Sequence, residues 1–170
     1  MDQGQTSSLT STAVLTGASP YQYLWFQKAP GAGSFSSISG ATSSSYSFVT
    51  SGSTATGSWS FILQVTDNAG AAVNSTASSV SVYAAPTVSV SPGSATFTVG
   101  QSQTFTASAS GGSATYTGYQ WYVGGSPQSG QTASTFSFTP GSVGSYSITC
   151  LLYTSPSPRD YAASRMPSSA

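Results

Sequence analysis

The chain has 170 residues, its formal net charge is zero, and only 4% of its residues are charged, against about 25% in an ordinary soluble domain. Nucleic acids and anionic membrane surfaces are bound through clustered Lys and Arg, so this composition argues against both kinds of partner. No apolar run is long enough for a membrane span, and no signal peptide follows Met1. Aromatic residues make up 12% of the chain, which is typical of a folded protein and not of a disordered one.

Short β-strands are predicted along the whole chain. Large apolar and small polar residues alternate, and breaks rich in Gly, Pro and Ser recur about every ten residues. In the first half the pattern predicts strands near Ser7–Leu15, Tyr21–Gln27, Ser45–Val49, Ser58–Thr66 and Ala72–Tyr83. Asp67-Asn68-Ala69-Gly70 is expected to join the last two as a hairpin, because Asp, Asn and Gly tolerate the positive φ of such turns.

An internal repeat organises this pattern. Three landmarks recur at one offset, since 119 − 23, 121 − 25 and 100 − 4 are equal: Tyr23 matches Tyr119, Trp25 matches Trp121, and Gly4-Gln5 matches Gly100-Gln101. Beyond a longer loop in the first copy, Gly57–Phe61 matches Gly144–Ile148. A Trp in the central strand of a β-sandwich packs beneath the opposite sheet, so the four repeated Tyr and Trp residues are predicted to be structural core.

Two tandem β-sandwich domains follow from the repeat. The first is predicted over residues 1–83 and the second over 87–149, and the linker Ala84-Ala85-Pro86 between them contains a proline that breaks strand pairing. The second domain opens with predicted strands at Thr87–Ser91 and Ala95–Val99.

Both domains are expected to be incomplete. Nothing before Gly4 matches the two opening strands of the second domain, so the first domain is expected to lack its first strand. The match to the first domain ends at Thr149, so the second is expected to lack its last strand. Each loss would leave an unpaired sheet edge.

The last residues, 150–170, show no alternation and match nothing upstream. Cys150–Asp160 resembles a translated transposase-type sequencing adapter, and Ser164–Ala170 resembles the flow-cell sequence that follows such an adapter. The segment is therefore predicted to be an irregular, non-native tail on a metagenomic fragment. On this interpretation Cys150 carries no information about redox compartment or catalysis.

Three motifs carry a family resemblance: the Gly-Gln-Ser-Gln-Thr-Phe opening at Gly100–Phe105, the Tyr-x-Trp of Tyr119 and Trp121, and the hairpin segment Phe61–Gly70. Together they resemble the PKD-like, immunoglobulin-like repeats of large cell-surface proteins, of the archaeal type, over Met1 to Thr149. The resemblance implies an all-β chain of two tandem immunoglobulin-like (PKD-like) β-sandwich domains at the cell surface or outside the cell. Both the cysteine pair of antibody domains and the Trp-Asp-Phe-Gly-Asp-Gly segment of many PKD domains are missing.

Groups for catalysis are scarce in this sequence. The chain has no His and no Glu, and Asp2 and Asp67 are the only carboxylates before the tail. Proton transfer near neutral pH and paired-carboxylate chemistry therefore lack suitable residues, so we expect no enzyme and no cofactor. Asp67-Asn68 offers too few oxygen ligands for Ca²⁺ by itself, which favours a turn-forming role over a metal site.

Surface sites are predicted with two interpretations each. Asn74-Ser75-Thr76 is an N-glycosylation sequon, either used or present by chance. The repeated tryptophans could stack on sugars, but their central position favours a core role. The better candidates for a binding face are other aromatics, which are expected to point away from the tryptophans or to lie at loop ends; as ordinary strand aromatics they would have no such role. They are Tyr21, Phe26, Tyr116 and Tyr122.

The predicted function is that of a non-catalytic structural or adhesion spacer in a secreted or surface-anchored repeat protein. Its expected partners are neighbouring repeats of the same chain, with surface glycans or other surface proteins. The alternative is a carbohydrate-binding accessory module of a secreted enzyme. A row of coplanar, exposed aromatic side chains would favour that alternative, and burial of the repeated aromatics would count against it.

Overall fold

The computed structural model describes residues 1–12, 14, 16–113 and 115–154. The regular structure in this part of the chain consists of β-strands, and the chain divides into two compact units, Met1–Ala85 (unit 1) and Pro86–Ala170 (unit 2). Each unit has its own hydrophobic core. The prediction of an all-β protein with two tandem immunoglobulin-like β-sandwiches is confirmed.

Among its described residues, unit 1 contains seven strands in two sheets. They are β1 (Thr6–Thr10), β2 (Gln22–Lys28), β3 (Ser36–Ser37), β4 (Ser45–Val49), β5 (Gly57–Thr66), β6 (Ala72–Asn74) and β7 (Ser78–Val82). One sheet pairs β1 with β4, and the other has the order β3-β2-β5, with β6 and β7 both on the far edge of β5. These strand pairings are antiparallel.

The core of unit 1 lies between its two sheets. Leu9 and Phe48 come from the β1-β4 sheet, and the other sheet contributes Trp25, Phe61, Leu63 and Val82. The rings of Phe48 and Phe61 meet across the core with centroids 4.8 Å apart. Since strand side chains alternate between faces, the core residues of β1, β4, β5 and β7 lie on one face of each strand. Burying a side chain of this size contributes about 1.5–3 kcal/mol of stability.

The first residues of unit 1 lie alongside the end of β7. The Gln3 N–H donates to the Tyr83 carbonyl and the Tyr83 N–H donates to the Met1 carbonyl, each over 2.9 Å. The Met1 amino group also donates to the Ser81 carbonyl over 2.9 Å. The backbone groups of Ser81 and Tyr83 therefore point away from β5, and those of Val82 point toward it.

Unit 2 contains six strands in the part of the chain that the structure describes. They are β8 (Thr87–Ser91), β9 (Gln103–Ser110), β10 (Tyr116–Val123), β11 (Ser126–Pro127), β12 (Thr135–Phe138) and β13 (Ile148–Thr154). One sheet has the order β12-β9-β8 and the other β11-β10-β13. The buried residues of the core are Phe105, Ala107, Trp121 and Phe136. They come from both sheets, so unit 2 is again a sandwich.

The two units share one strand register around their tryptophans. Trp25 lies opposite Leu63 in the β2-β5 pair, and Trp121 lies opposite Cys150 in the β10-β13 pair. Cys150 therefore occupies the position that Leu63 has in unit 1. Two residues earlier on the same strands, Ile148 corresponds to Phe61, as the sequence repeat predicts.

Two predicted strands, Ser45–Val49 and Thr87–Ser91, have the observed bounds of β4 and β8. The prediction of a strand at Ala95–Val99 is wrong, because that segment is held as a loop. The Gln101 side chain accepts a hydrogen bond from the Thr98 N–H over 3.0 Å, and the Gly100 N–H donates to the Pro140 carbonyl over 3.1 Å.

The predicted strand Ala72–Tyr83 is interrupted between β6 and β7. Ser75 causes the break: its hydroxyl oxygen accepts the Leu63 N–H over 3.0 Å, while its own N–H donates to the Leu63 carbonyl over 2.8 Å. The Ser75 side-chain oxygen thus replaces a backbone carbonyl as the acceptor for the Leu63 N–H of β5. The short strand β3, in the longer loop of the first copy, was not predicted.

Strand bounds also differ at two other places. The strand predicted at Ser7–Leu15 ends at Thr10 in the structure, and Leu15 is outside the described residues. The irregular tail was expected to start at Cys150, but β13 continues to Thr154. This strand persists because its backbone pairs with β10 and its side chains alternate between half-buried and exposed. The rest of the predicted tail, 155–170, lies outside the described residues.

Candidate functional site

Trp25 sits in the middle of β2 and is 4% exposed. Its indole N–H donates to the Ser43 carbonyl over 2.9 Å, and its backbone N–H donates to the Ala41 carbonyl over 3.0 Å. Its own carbonyl accepts the Ile38 N–H over 2.8 Å. Both the side chain and the backbone of Trp25 thus hold the loop that carries the chain from β3 to β4, which belongs to the opposite sheet.

Trp121 makes the same set of contacts in unit 2 and is fully buried. Its indole N–H donates to the Ala133 carbonyl over 2.9 Å, and its backbone N–H donates to the Gln131 carbonyl over 3.3 Å. The Trp121 carbonyl accepts the Gln128 N–H over 2.9 Å. Each tryptophan is therefore packed between the sheets and joined by hydrogen bonds to the loop that crosses between them.

The other predicted core residues, Tyr23 and Tyr119, are half-buried and pack against the cores of their units. They lie two residues before the tryptophans, so they point to the same face of their strands. Of the four residues predicted as structural core, the two tryptophans are thus more buried than the two tyrosines.

The four aromatics predicted as binding candidates are half-buried. Two of them hold loops. The Tyr21 hydroxyl donates to the Gly17 carbonyl over 3.1 Å, and the Tyr116 hydroxyl donates to the Gly111 carbonyl. This bracing role was not predicted from the sequence. Its signal is a tyrosine at the start of a strand with a glycine four or five residues before it.

Asp67 organises the β5-β6 turn. Its carboxylate accepts hydrogen bonds from the N–H groups of Ala69 and Ala71, over 3.0 and 2.9 Å, and from the Ala18 N–H over 3.0 Å. These backbone donors, that of Ala18 first, lower the pKa of Asp67 below the usual aspartate value. Gly70 has a φ of 84° and completes the turn. The side chain thus joins the hairpin to the loop that precedes β2.

Two further polar residues were considered from the sequence. Asn74 is exposed on β6, at the sheet edge, and its side-chain oxygen accepts a hydrogen bond from the Gln64 amide over 3.2 Å. Cys150 is half-buried on β13, and burial raises the pKa of its thiol. Within the described ranges, no three His, Cys, Asp or Glu side chains are grouped as a metal site would require.

A cleft of about 510 Å³ opens along one side of unit 2. It lies between β8, the loop after β8 and the segment that leads into β13. Its apolar lining includes Val90, Pro92, Phe97, Phe105, Tyr146 and Ile148. This cleft was not predicted from the sequence, because it forms between segments that are far apart in the chain.

Exposed aromatic side chains are few and scattered. In the part of the chain that the structure describes, those with more than a third of their surface exposed are Tyr83, Tyr146 and Tyr153, at 48%, 39% and 48%. The three lie on different segments. Among these residues there is also no helix with the length and apolar character of a membrane span.

Comparisons with known proteins give similarity of structure alone. No protein-family model and no curated protein sequence matches the chain. A solved structure on Dscam isoform specificity is 16% identical, with a TM-score of 0.40 over 91% of this chain and 40% of that one. Fibronectin(III)-like modules of Clostridium thermocellum CbhA are 14% identical, with a TM-score of 0.34 over 91% of this chain and 80% of that one.

A third solved structure, the N-terminal eight Ig domains of Down Syndrome Cell Adhesion Molecule, is 16% identical, with a TM-score of 0.41. The match covers 86% of this chain and 22% of that one. The chain thus spans less than half the length of the Dscam chains it matches. The immunoglobulin-like assignment of both units rests on their own strand order and cores.

Proposed function

We propose that the chain is a non-catalytic spacer or adhesion segment of a secreted or surface-anchored repeat protein. One observation carries the proposal: the same tryptophan-centred arrangement, with an indole N–H on the carbonyl of the crossing loop, is built twice in one chain. Repetition of a self-sufficient fold adds reach with each copy. Exposed Ser and Thr side chains make the surface of this chain polar, as charged side chains do in most soluble domains.

The finer assignment is to PKD-like repeats of archaeal-type cell-surface proteins. It is supported by the motifs at Gly100–Phe105 and Phe61–Gly70 and by the paired Tyr-x-Trp strands. We place the domains at 1–83 and 87–149, each short of one strand, and the protein outside the cell or at its surface. The partners proposed are neighbouring repeats, surface glycans or other surface proteins. Sequencing the gene on both sides of this segment tests the assignment, because further repeats, an export signal and an anchor are expected.

The segment from Cys150 onward is proposed to come from a sequencing adapter. Support comes from its match to adapter and flow-cell sequence on both flanks of a short index. Amplifying the locus from source DNA with primers placed upstream checks this origin. A natural sequence that departs from the present one after Thr149 is expected, and the recovery of Cys150–Ala170 in genomic DNA would refute it.

Asn74 is proposed as a glycosylation site. Its exposure on β6 would leave room for a glycan, and its hydrogen bond with Gln64 is made between exposed groups. Expression in a glycosylating host is expected to give a mass shift that is removed by a peptide-N-glycosidase. The Thr76→Ala variant, which destroys the sequon, is the control and should show no shift.

Forced extension of the single chain tests the spacer role. If each unit is a self-sufficient mechanical element, pulling from the two ends should give two separate unfolding events. Each should release about 3.5 Å of extended chain per residue unfolded. A featureless extension, or a single event for the whole chain, would contradict the proposal.

The carbohydrate-binding alternative has less support. Both repeated tryptophans are buried, and the exposed tyrosines lie on different segments of the chain. Titration with soluble polysaccharides discriminates the two functions. Binding that is lost on Tyr146→Ala and kept on Tyr83→Ala would favour the alternative, since Tyr146 lies at the cleft of unit 2.

A further inference from the structure

The far edge of the second sheet differs between the two units. In unit 1, β6 and β7 cover the edge of β5 that faces away from β2. In unit 2, no strand among the described residues covers the corresponding edge of β13. The 510 Å³ cleft opens at this place, and its lining includes Tyr146 and Ile148, which lead into β13.

Unit 1 shows what fills the equivalent space. There β7 pairs with the first half of β5, with Val82 opposite Gly57, Val80 opposite Trp59 and Ser78 opposite Phe61. Val82 is 2% exposed in the core, and Val80 packs against the same core. The occupant of this position is thus an uncharged strand with two β-branched residues on its inner face.

The segment of unit 2 that corresponds to the β7-binding half of β5 is Gly144–Ile148. In unit 1 the five residues Gly57–Phe61 are all in strand conformation, whereas in unit 2 the strand begins only at Ile148. The half of the strand that loses its neighbour in unit 2 is therefore the half that is irregular. The irregular backbone before Ile148 is thus a second observation, separate from the cleft, that indicates an unpaired edge at this place.

The backbone of this segment is directed suitably for pairing. The Ser147 carbonyl accepts the Gly124 N–H over 2.9 Å, so Ser147 faces β10. Backbone groups alternate in direction along a strand, so those of Tyr146 and Ile148 face the open edge. The corresponding residues in unit 1 are Trp59 and Phe61, which face β7.

We propose that the cleft of unit 2 is an acceptor groove for a β-strand, and that its occupant is an uncharged segment of the β7 type, alternating valine with serine. The incoming strand pairs antiparallel with Gly144–Ile148 and places its two valines against Phe105 and Ile148. Binding extends β13 toward its N-terminal side. All of the residues that line the cleft precede Cys150. The proposal is independent of the spacer role.

A synthetic peptide of the β7 sequence, Thr76–Ala84 (TASSVSVYA), is the probe. Added to the 170-residue chain, it should bind saturably, with one peptide per chain, in isothermal titration calorimetry. Two N-methylated peptides distinguish strand pairing from simple apolar contact. Methylation at the Val80 position blocks a backbone group that faces the acceptor and should weaken binding about tenfold. Methylation at the Ser81 position, which faces away, should leave binding unchanged.

Two protein variants locate the site. Ala95→Trp fills the cleft and should weaken binding about tenfold or more, whereas Ala69→Trp, in the β5-β6 turn of unit 1, should not. Absence of binding by the unmodified peptide to a chain whose Trp121 emission is that of a buried indole would overturn the proposal. Equal binding of all three peptides would also overturn it, since it would indicate an apolar pocket without strand pairing. Full binding by Ala95→Trp would exclude this cleft as the site.

Discussion

The indole hydrogen bonds of the tryptophans are the most specific contacts in either core. Trp121 is fully buried, and its N–H satisfies a backbone carbonyl at the end of the crossing loop. Trp59, which is partly buried, makes a bond of the same chemistry to the Ala55 carbonyl over 2.9 Å, but that bond is exposed to solvent. The two residues therefore allow the effect of burial on one kind of hydrogen bond to be measured.

Trp121→Phe should destabilise the chain more than Trp59→Phe. The first change leaves a carbonyl without its partner in a part-buried place and removes core volume, at a cost of about 1–3 kcal/mol. The second exposes its carbonyl to water and should cost less than about 1 kcal/mol. Denaturant unfolding followed by circular dichroism compares the two variants. If the two variants lose the same free energy of unfolding, the indole hydrogen bond of Trp121 contributes no more than that of Trp59.

Asp67 gives unit 1 a dependence on pH. Its pKa is lowered in the folded state because its carboxylate accepts backbone N–H groups, first among them that of Ala18. A group whose folded pKa lies below its unfolded pKa stabilises the fold above the unfolded value, which is about 3.9 for Asp, and loses that effect as the pH falls through the folded value. The stability that Asp67 contributes should therefore be lost as the pH falls below about 4.

Asp67→Asn tests this dependence. The amide keeps the size of the side chain but loses the charge and one of the two oxygens that accept backbone N–H groups, so the variant should unfold at lower denaturant concentration than the natural chain at neutral pH. The difference should shrink as the pH is lowered below the ordinary carboxyl range. Unfolding midpoints at several pH values measure it, and a difference that stays constant with pH would contradict the assignment.

At the scale of the element, Ser75 decides how the last strand of unit 1 is built. By accepting the Leu63 N–H through its side chain, it lets the chain shift between β6 and β7 without leaving a backbone donor unsatisfied. Leu63 is a core residue. The break in the strand is therefore coupled directly to the centre of the sandwich.

Ser75→Ala should expose this coupling. The change leaves the Leu63 N–H without its acceptor, at a cost of about 1–3 kcal/mol. Hydrogen exchange of the Leu63 amide should become faster, while Ser75→Thr, which keeps a hydroxyl, should retain slow exchange. Unchanged protection of Leu63 in the alanine variant would mean that another acceptor takes over.

The elements show what sequence pattern can and cannot predict. Strands β4 and β8 were predicted with their bounds, because alternation of large and small residues is a local signal. The loop at Ala95–Val99 has the same alternation, but the Gln101 side chain and the Pro140 carbonyl hold its neighbourhood in turns. Those partners come from the tertiary structure and leave no periodic trace in the sequence.

The candidate sites, too, could be predicted from the sequence only in part. The position of Trp25 and Trp121 at the centre of each sandwich follows from their repetition, whereas the carbonyls that their indoles meet do not. The open edge of unit 2 was expected from the sequence, since the repeat ends before a last strand. The lining of the acceptor groove was not, because Val90, Phe97 and Tyr146 are far apart in the chain.

At the scale of the whole molecule, the two units should differ in their response to shortening of the chain. A chain ending at Thr149 loses Cys150–Thr154, which pair with β10 and lie partly against the core of unit 2. The melting temperature of unit 2 should fall by at least about 5 °C, because roughly a kilocalorie of lost burial has that effect in a small domain. Unit 1 should melt as before.

A chain ending at Thr154 is the matched control, since it removes residues 155–170 and keeps β13. It should melt like the full chain. Scanning calorimetry resolves both transitions. If the two shortened chains melt alike, residues 150–154 contribute nothing to the fold of unit 2, whatever their pairing.

The indole bonds also bear on how the two copies could drift apart. Each tryptophan bonds to a main-chain carbonyl, which any residue can offer, and the accepting residue is Ser43 in one unit and Ala133 in the other. The bracing tyrosines differ, because they use the carbonyls of Gly17 and Gly111, whose φ values of 102° and 73° favour glycine. An indole bond to a main-chain carbonyl thus constrains the tryptophan and leaves the identity of the accepting residue free. Two copies held by such bonds can differ at most other positions and still share a fold, and in this chain a few landmark residues mark the repeat.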